Sequence, residues 1–372
     1  LVVATTPANT ADPRLWPTWQ TLLPHILALA PATNPDARLR RTAVDAIRYQ
    51  TQRGDYRSTQ ALADRLYTSW TEMLGPEHPD TLAAANCVGE TLRNLGDYAA
   101  AAEIHRRTLE ARRRVLGEKH PATLTSAGNL AIALRALGDL AAARDLHEQT
   151  LATRRRVLGD HHTDTLTSAN NLAVLLRDLG NLAASRDLHE QVHATRRRIL
   201  GDNHPSTLTS ASNLANCLRD LGSLTTAREL HEHVYATRRR IFGDDHPATL
   251  RSADDLAETL RALGDLTAAR NLHERTLVAK RILGDDHPST LISAHNLGQT
   301  LHALGEYTAA RNLLRQTLIA RRRVLGDHHP HTLATAHSLA QTLQVLGDHA
   351  TARDLLEAAL AGRRRILGDQ HP

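Results

Sequence analysis

Histidine is the residue type with the greatest capacity for chemistry here, at 23 of 372 positions. His189-Glu190-Gln191-Val192-His193 is a literal His-Glu-x-x-His run, the arrangement in which two imidazoles one helical turn apart bind zinc beside a general-base carboxylate. The register of the surrounding sequence argues against that use. The positions of His189 and Glu190 recur as His147-Glu148, His231-Glu232 and His273-Glu274, with no second His one turn on. The position of His193 is filled elsewhere by Leu109, Leu151, Tyr235, Leu277, Leu318 and Leu360, which reads as a core position. No catalytic residue, metal site or cofactor is expected.

Two other sets could do chemistry. His78, His120, His162, His204, His246, His287, His329 and His371 mark one junction per repeat. Ligands at whole-repeat spacing cannot share one ion when metal bonds are about 2 Å long, so structural packing at the loop is expected. Arginine triplets at 112–114, 154–156, 196–198, 238–240, 321–323 and 363–365 would form a basic stripe if stacked, the footprint of a phosphate-tracking surface. Three consecutive helical residues fan over about 200°. Acidic junctions such as Asp244-Asp245 follow closely, and aromatics are only 3% of residues, too few for base stacking. The triplets therefore read as solvated helix ends that complement the helix dipole, with a nucleic-acid-binding basic solenoid kept as an alternative.

The elements that must position these residues follow from internal repetition. The junction histidines are 42 residues apart, with a single spacing of 41 where Lys280-Arg281 stands in place of a triplet. A fixed period of this size signals a solenoid of units that cannot bury their apolar faces alone. Within one unit Leu124, Ala127, Leu130, Ala131, Leu134 and Leu137 fall on one helical stripe. Pro121 suits the first turn and Gly138 the stop. A second stripe of Leu140, Ala143, Leu146, His147 and Leu151 ends at Leu158-Gly159, and Ala131 and Ala143 are small enough for the two helices to approach closely.

Asn129-Leu130-Ala131, Leu134, Gly138-Asp139-Leu140, Ala143 and Leu151 resemble the tetratricopeptide pattern. The long second helix and the junction spanning Leu200 to Leu208 resemble the 42-residue variant of kinesin light chains, over roughly residues 36 to 372, with turn glycines Gly96, Gly138, Gly180, Gly222, Gly264, Gly305 and Gly347. The resemblance implies an all-α, right-handed superhelical solenoid of antiparallel helix pairs, eight counting a degenerate first pair. It divides the chain into a lead-in helix and linker (1–35), that degenerate repeat (36–75) and seven repeats of 41 to 42 residues (76–372). His105, His147, His189, His231 and His273 hold the place where such repeats usually carry an aromatic. They are expected to be half-buried, hydrogen-bonded fillers, as Leu314 and Leu356 in the same slot suggest. The segment from Trp16-Pro17-Thr18-Trp19 through Pro35 resembles the join between a STAND (NB-ARC-type) signalling ATPase and its repeat array in actinobacterial regulators.

On a helix of 3.6 residues per turn, Asn129, Ile132 and Arg135 fall away from the Leu130 and Leu134 stripe. Their counterparts include Asn171 (beside Asn170), Val174 and Arg177; Asn213, Asn216 and Arg219; Asp255, Glu258 and Arg261; and Asn296, Gln299 and His302, with Arg93 starting the arginine column. If this face lines the groove, as the resemblance implies, Asn amides bond an extended peptide and Arg pairs with its acidic groups. Asp254-Asp255 would make the fifth segment acidic. The competing reading is an Asn–Arg ladder that only links neighbouring repeats.

The expected function is thus non-catalytic protein or peptide binding, as the sensor or autoinhibitory arm of a larger signalling ATPase. The alternative of another class is a structural or oligomerising rod, self-associating through the edge at Leu355, Leu356 and Leu360. Residue 1 is Leu and the chain stops at His371-Pro372, so a fragment is expected; no Gly-x-x-x-x-Gly-Lys-Ser/Thr motif occurs, which puts any ATPase outside it. Lys and Arg total 45 against 40 for Asp and Glu, a net charge of +5, weak evidence for nucleic acid. No apolar run suits a membrane span, and Cys87 and Cys217, three repeats apart, should be free thiols as in a reducing cytoplasm.

Overall fold

The structure, a computed structural model, describes residues 6, 7, 10 and 15–367; the junction at His371 and Pro372 lies outside them, as do the side chains of Arg363 and Arg365. The described residues are helical with no strand, in two compact units, 1–157 and 158–372. The first unit carries α1 (Trp16–Ala28), α2 (Ala37–Gln52), α3 (Tyr56–Leu74), α4 (Pro79–Asn94), α5 (Tyr98–Leu116), α6 (Pro121–Leu137) and α7 (Leu140–Leu158), whose last residue opens the second. The second carries α8 (Thr163–Asp178), α9 (Leu182–Leu200), α10 (Pro205–Asp220), α11 (Leu224–Phe242), α12 (Pro247–Ala262), α13 (Leu266–Lys280), α14 (Pro288–Ala303), α15 (Tyr307–Leu325), α16 (Pro330–Val345) and α17 (His349–Leu367). From α8 to α17 every helix packs on the next, and the first helices of successive pairs, α8, α10, α12, α14 and α16, also touch one another. In the first unit α2 touches α4 and α4 touches α6 in the same way.

The local causes match the sequence. Pro121 opens α6, and Gly138 closes it at φ 94°, a left-handed conformation that costs a side chain about 1 kcal/mol or more. The stripe residues Leu124, Ala127, Leu130, Ala131 and Leu134 are buried, and the second-helix alanines Ala101, Ala143, Ala227, Ala269, Ala310 and Ala352 are completely so. These small residues let paired helices approach until larger side chains meet backbone. At Gly89 the His105 ring lies where a Cβ would come within 2.5 Å of it.

Before the pairs, α1 packs on α2 through Trp19, whose ring stacks on Tyr49 at 5.6 Å between centroids. Trp70 donates from Nε1 to the Pro31 carbonyl at 2.9 Å, which pins the linker to α3. The short repeat has its own signature. α13 ends at Lys280 and finishes in a single 3-10 turn, Arg281–Leu283, whereas the other second helices run for 19 residues. At the far end Leu355 and Leu356 pack against the core of α15 to α17, and Leu360 is half exposed. Among the described residues no helix is long and apolar enough to cross a membrane.

Candidate binding surface on the first helices

The columns read from sequence stand on the first helices as half-buried side chains, a strip in each unit: Arg93, Asn129 and Arg135 in the first, and Asn171, Arg177, Asn213, Asn216, Arg219, Arg261 and Asn296 in the second. Asn129, Asn171, Asn216 and Asn296 make no side-chain hydrogen bond among the described residues. Asn170 differs: it is buried and accepts from Asn213 Nδ2 at 2.9 Å, a tie between α8 and α10. Further ties cross repeats. Arg177 stands 3.6 Å from Asp220, Gln299 donates to Ser338 at 3.2 Å, and His302 meets Thr342 at 3.0 Å. The strip therefore combines linking groups with amides left open to a ligand.

Behind the strip lie the slot histidines, and here the expectation needs correction. His105, His147, His189, His231 and His273 are fully buried rather than half-buried. Several of their nitrogens, including both of His189, lack a hydrogen-bond partner, although His231 Nδ1 meets Thr259 Oγ1 at 2.9 Å. In this slot an imidazole takes the place of an aromatic side chain. Burial pushes His105, His147, His189 and His231 down to about 4, and Arg93, Arg135, Arg177 and Arg219 respectively add to the effect. These four are neutral space-fillers at pH 7.

His189 belongs to the His-Glu-x-x-His run, and its geometry opposes a shared metal. The ring is enclosed, Glu190 is exposed on another face, and His193 is half-buried near Ser210. Among the described residues no three His, Cys, Asp or Glu side chains stand together to hold an ion. Cys87 and Cys217 are free, buried thiols, and burial pushes Cys87 up to about 12.

The junction histidines are N-caps. In His78, His120, His162, His204, His246, His287 and His329, Nδ1 accepts the backbone N–H two residues on at 3.1 to 3.2 Å. This satisfies one of the donors a helix start leaves open. The sequence placed them at the loop, and the bond gives the reason.

The arginine triplets are only partly solvated, which corrects the second expectation. The leading residue of the five triplets whose side chains are described, Arg112, Arg154, Arg196, Arg238 and Arg321, is buried. Arg112 and Arg238 donate to Ser126 and Ser252 at 2.8 Å, and Arg321 to Thr335 at 2.5 Å. Burial brings Arg238 and Arg321 down to about 10. The middle residue pairs with the following junction, as in Arg197 with Asp202 and Arg322 with Asp327. The last reaches back one repeat, as in Arg114 with Glu77 and Arg240 with Asn203. The hydroxyl fourteen residues beyond Arg112, Arg238 and Arg321 was visible in the sequence and would have shown their tie.

A third correction concerns the acidic segment. Asp254 does not line the strip: it is buried and bound to Lys280 at 2.5 Å, leaving Asp255 and Glu258 half-buried beside Arg261. A cleft of about 480 Å³ is bounded by Tyr235, Asp245, Leu272, Arg275 and Val278, beside the shortened α13.

Comparison with known proteins agrees with this architecture. Two family models, each described as tetratricopeptide repeat, match residues 80–156 and 206–279, and residues 165–206, 290–331 and 332–372. No curated protein matches the chain. Among solved structures, the nearly identical TPR-like repeats of a putative kinesin light chain from Podosopora anserina are 32% identical, with 55% of this chain and 97% of that one covered and a TM-score of 0.46. A Rap protein complexed with Competence and Sporulation Factor is 11% identical, covers 95% of each chain and has a TM-score of 0.62. The quorum sensor NprR of B. thuringiensis, in its apo form, is 12% identical over 92% of each chain with a TM-score of 0.57. These last two share the fold.

Proposed function

Since this chain belongs to the tetratricopeptide repeat family, we propose that its first-helix strip is a non-catalytic binding surface for an extended peptide or protein segment. The observation that carries the reading is the row of partly exposed amides in the second unit, Asn171, Asn216 and Asn296, whose donors and acceptors no neighbouring side chain uses, with Asn129 alike in the first. An amide offers both a donor and an acceptor, which matches the backbone of an extended chain. Arg177 and Arg219 stand beside them with only long contacts, Arg177 to Asp178 and Asp220 and Arg219 to Asp220, so a ligand carboxylate can compete for them. Fold neighbours include a Rap protein complexed with Competence and Sporulation Factor and a Rap conjugation gene regulator in complex with the Phr* peptide, which support a peptide as ligand.

A finer form of the proposal makes the surface the sensor or autoinhibitory arm of a larger signalling ATPase in the cytoplasm. Its support is the lead-in helix and linker, fixed to the array by Trp19 and Trp70. The rod reading draws on the ties from Asn213 to Asn170 and from Gln299 to Ser338. Nucleic acid is disfavoured because five arginine triplets give their leading member to the interior, and others of their members pair with junction groups, as Arg197 with Asp202 and Arg114 with Glu77.

Selection of peptides from a random displayed library on the full chain tests the proposal. Peptides enriched on the native chain should lose at least about tenfold in affinity to Asn171→Ala/Asn216→Ala and to Arg177→Ala/Arg219→Ala variants that melt at the native temperature. Unchanged affinity in both would reject the strip as the site.

A further inference from the structure

Four slot imidazoles are neutral, and the fifth has different company. His273 Nδ1 stands 3.5 Å from Asp254 Oδ1, and its Nε2 stands 3.4 Å from Glu258 Oε1. Asp254 takes the place that Ser212 holds one repeat earlier, and Lys280 takes the place of the buried arginines. Lys280 bonds Asp254 at 2.5 Å, Ser293 on α14 donates to the same carboxylate at 2.8 and 3.0 Å, and Glu258 is bound by Arg261 at 2.6 Å. His273, Lys280 and Asp254 are all buried.

The imidazole stands between two carboxylates, one at each nitrogen. Facing the cluster from α12 are Asp254, Asp255, Glu258 and Arg261; from α13, Lys280; and from α14, His295, which burial pushes down to about 3 and so leaves uncharged. Burial and the neighbouring Asp254 push Asp255 up to about 6, against Arg219, Arg251 and Arg238, so its charge is answered outside the imidazole. A neutral imidazole has a single N–H and would turn the lone pair of its other nitrogen toward a carboxylate, whereas a protonated ring offers a donor to each. A lone pair facing a carboxylate without a proton between them is costly in the interior.

We infer that the α12–α13 pair is a pH-sensing joint in which His273 carries the proton that neutralises Asp254 and Glu258, so that losing this proton as pH rises loosens the pair. Burial opposes a charged imidazole, but the contacts to Asp254 and Glu258 outweigh it and raise His273 above the ordinary imidazole value. Burial likewise works against ionised Asp254 and Glu258, and the proximity of His273 and of the neighbouring cations overcomes it: Asp254 is lowered, and Glu258 falls to about 2. A group raised on folding stabilises below its unfolded value and stops doing so as pH rises through its folded one. The joint coincides with the repeat that lacks a residue and whose second helix ends early. Glu258 also stands in the proposed binding strip, so any effect on a ligand rests on that reading, whereas the proton on His273 does not.

The test is a pH titration of the full chain with histidine labelled at Cε1, followed by NMR. His273→Leu assigns the resonance and should fold, because Leu314 and Leu356 occupy the same slot. The expected result is a His273 midpoint above the ordinary imidazole value, falling by about one pH unit in Glu258→Gln, while His231 stays neutral to about pH 5. Amide exchange in α12 and α13, corrected for its intrinsic pH dependence, should rise between about pH 6 and about pH 9 in the native chain and not in His273→Leu. A His273 that titrates with His231, or a proton found on Asp255 in its place, overturns the inference.

Discussion

Asn213 donates from Nδ2 to Asn170 Oδ1 at 2.9 Å, joining α10 to α8 through two side-chain amides. Asn170 is buried, so removing its donor leaves a polar group unsatisfied. Asn213→Ala should cost about 1 kcal/mol, while Asn171→Ala and Asn216→Ala, whose amides hold no partner, should change stability by less than about 0.5 kcal/mol. Urea midpoints of the three variants check this; equal losses would mean that the open amides are also structural.

Within one arginine triplet the three members should behave differently. Arg238 is buried and donates to Ser252 and Thr209, so Arg238→Ala should cost about 2 to 4 kcal/mol through the cavity and stranded partners. Arg239 is exposed and paired with Asp244, and Arg239→Ala should cost less than about 1 kcal/mol. A thermal melt of each variant reads the contrast, which a wholly solvated triplet would not produce.

The junction histidine works as a cap, so His204→Ala should cost about 1 kcal/mol and His204→Asn much less, since Asn offers an acceptor at the same place. Hydrogen exchange at the amide of Ser206, the donor in that bond, should quicken in His204→Ala. No change there would remove the capping role.

Acid should destabilise the chain through the neutral slot imidazoles. His105, His147, His189 and His231 are depressed to about 4 in the fold, so the unfolded chain takes up protons more readily. Their contribution is full above the unfolded value near 6.5 and is lost as pH falls toward 4, on the order of 2 kcal/mol each by about pH 5. His231→Leu should flatten the acid side of the stability profile by one such share. His273 acts with the opposite sign on the alkaline side, so His273→Leu should leave the acid side unchanged.

The helix pairs were legible because the information is local and repeated. Pro121, Gly138 and the Leu124 to Leu134 stripe each mark α6 by a mechanism that needs no distant partner. The fate of polar side chains was not, because it depends on which neighbour lies across a crossing. Three adjacent arginines look alike in sequence, yet one points inward to Ser126 and another outward to Glu77. The slot histidines looked half-buried because their depth is set by small residues on the facing helix, such as Gly89. Asp254 looked like a groove residue because its partner Lys280 lies 26 positions on, in another helix.

The polar bonds of the triplets reach no farther than the adjoining repeat: Arg239 to the next junction, Arg114 and Arg240 to the preceding one, Arg238 to hydroxyls on either side. A gene segment encoding one such cassette, if duplicated in tandem, would deliver a copy that finds every donor and acceptor it needs already present in its new neighbours. Growth and shrinkage of the array by recombination therefore leave no stranded charge, and length becomes a property that selection adjusts without redesigning the interior. The cassette containing Lys280 carries its own carboxylate, Asp254, in the same helix pair, and asks of the next repeat only the hydroxyl that Ser293 supplies.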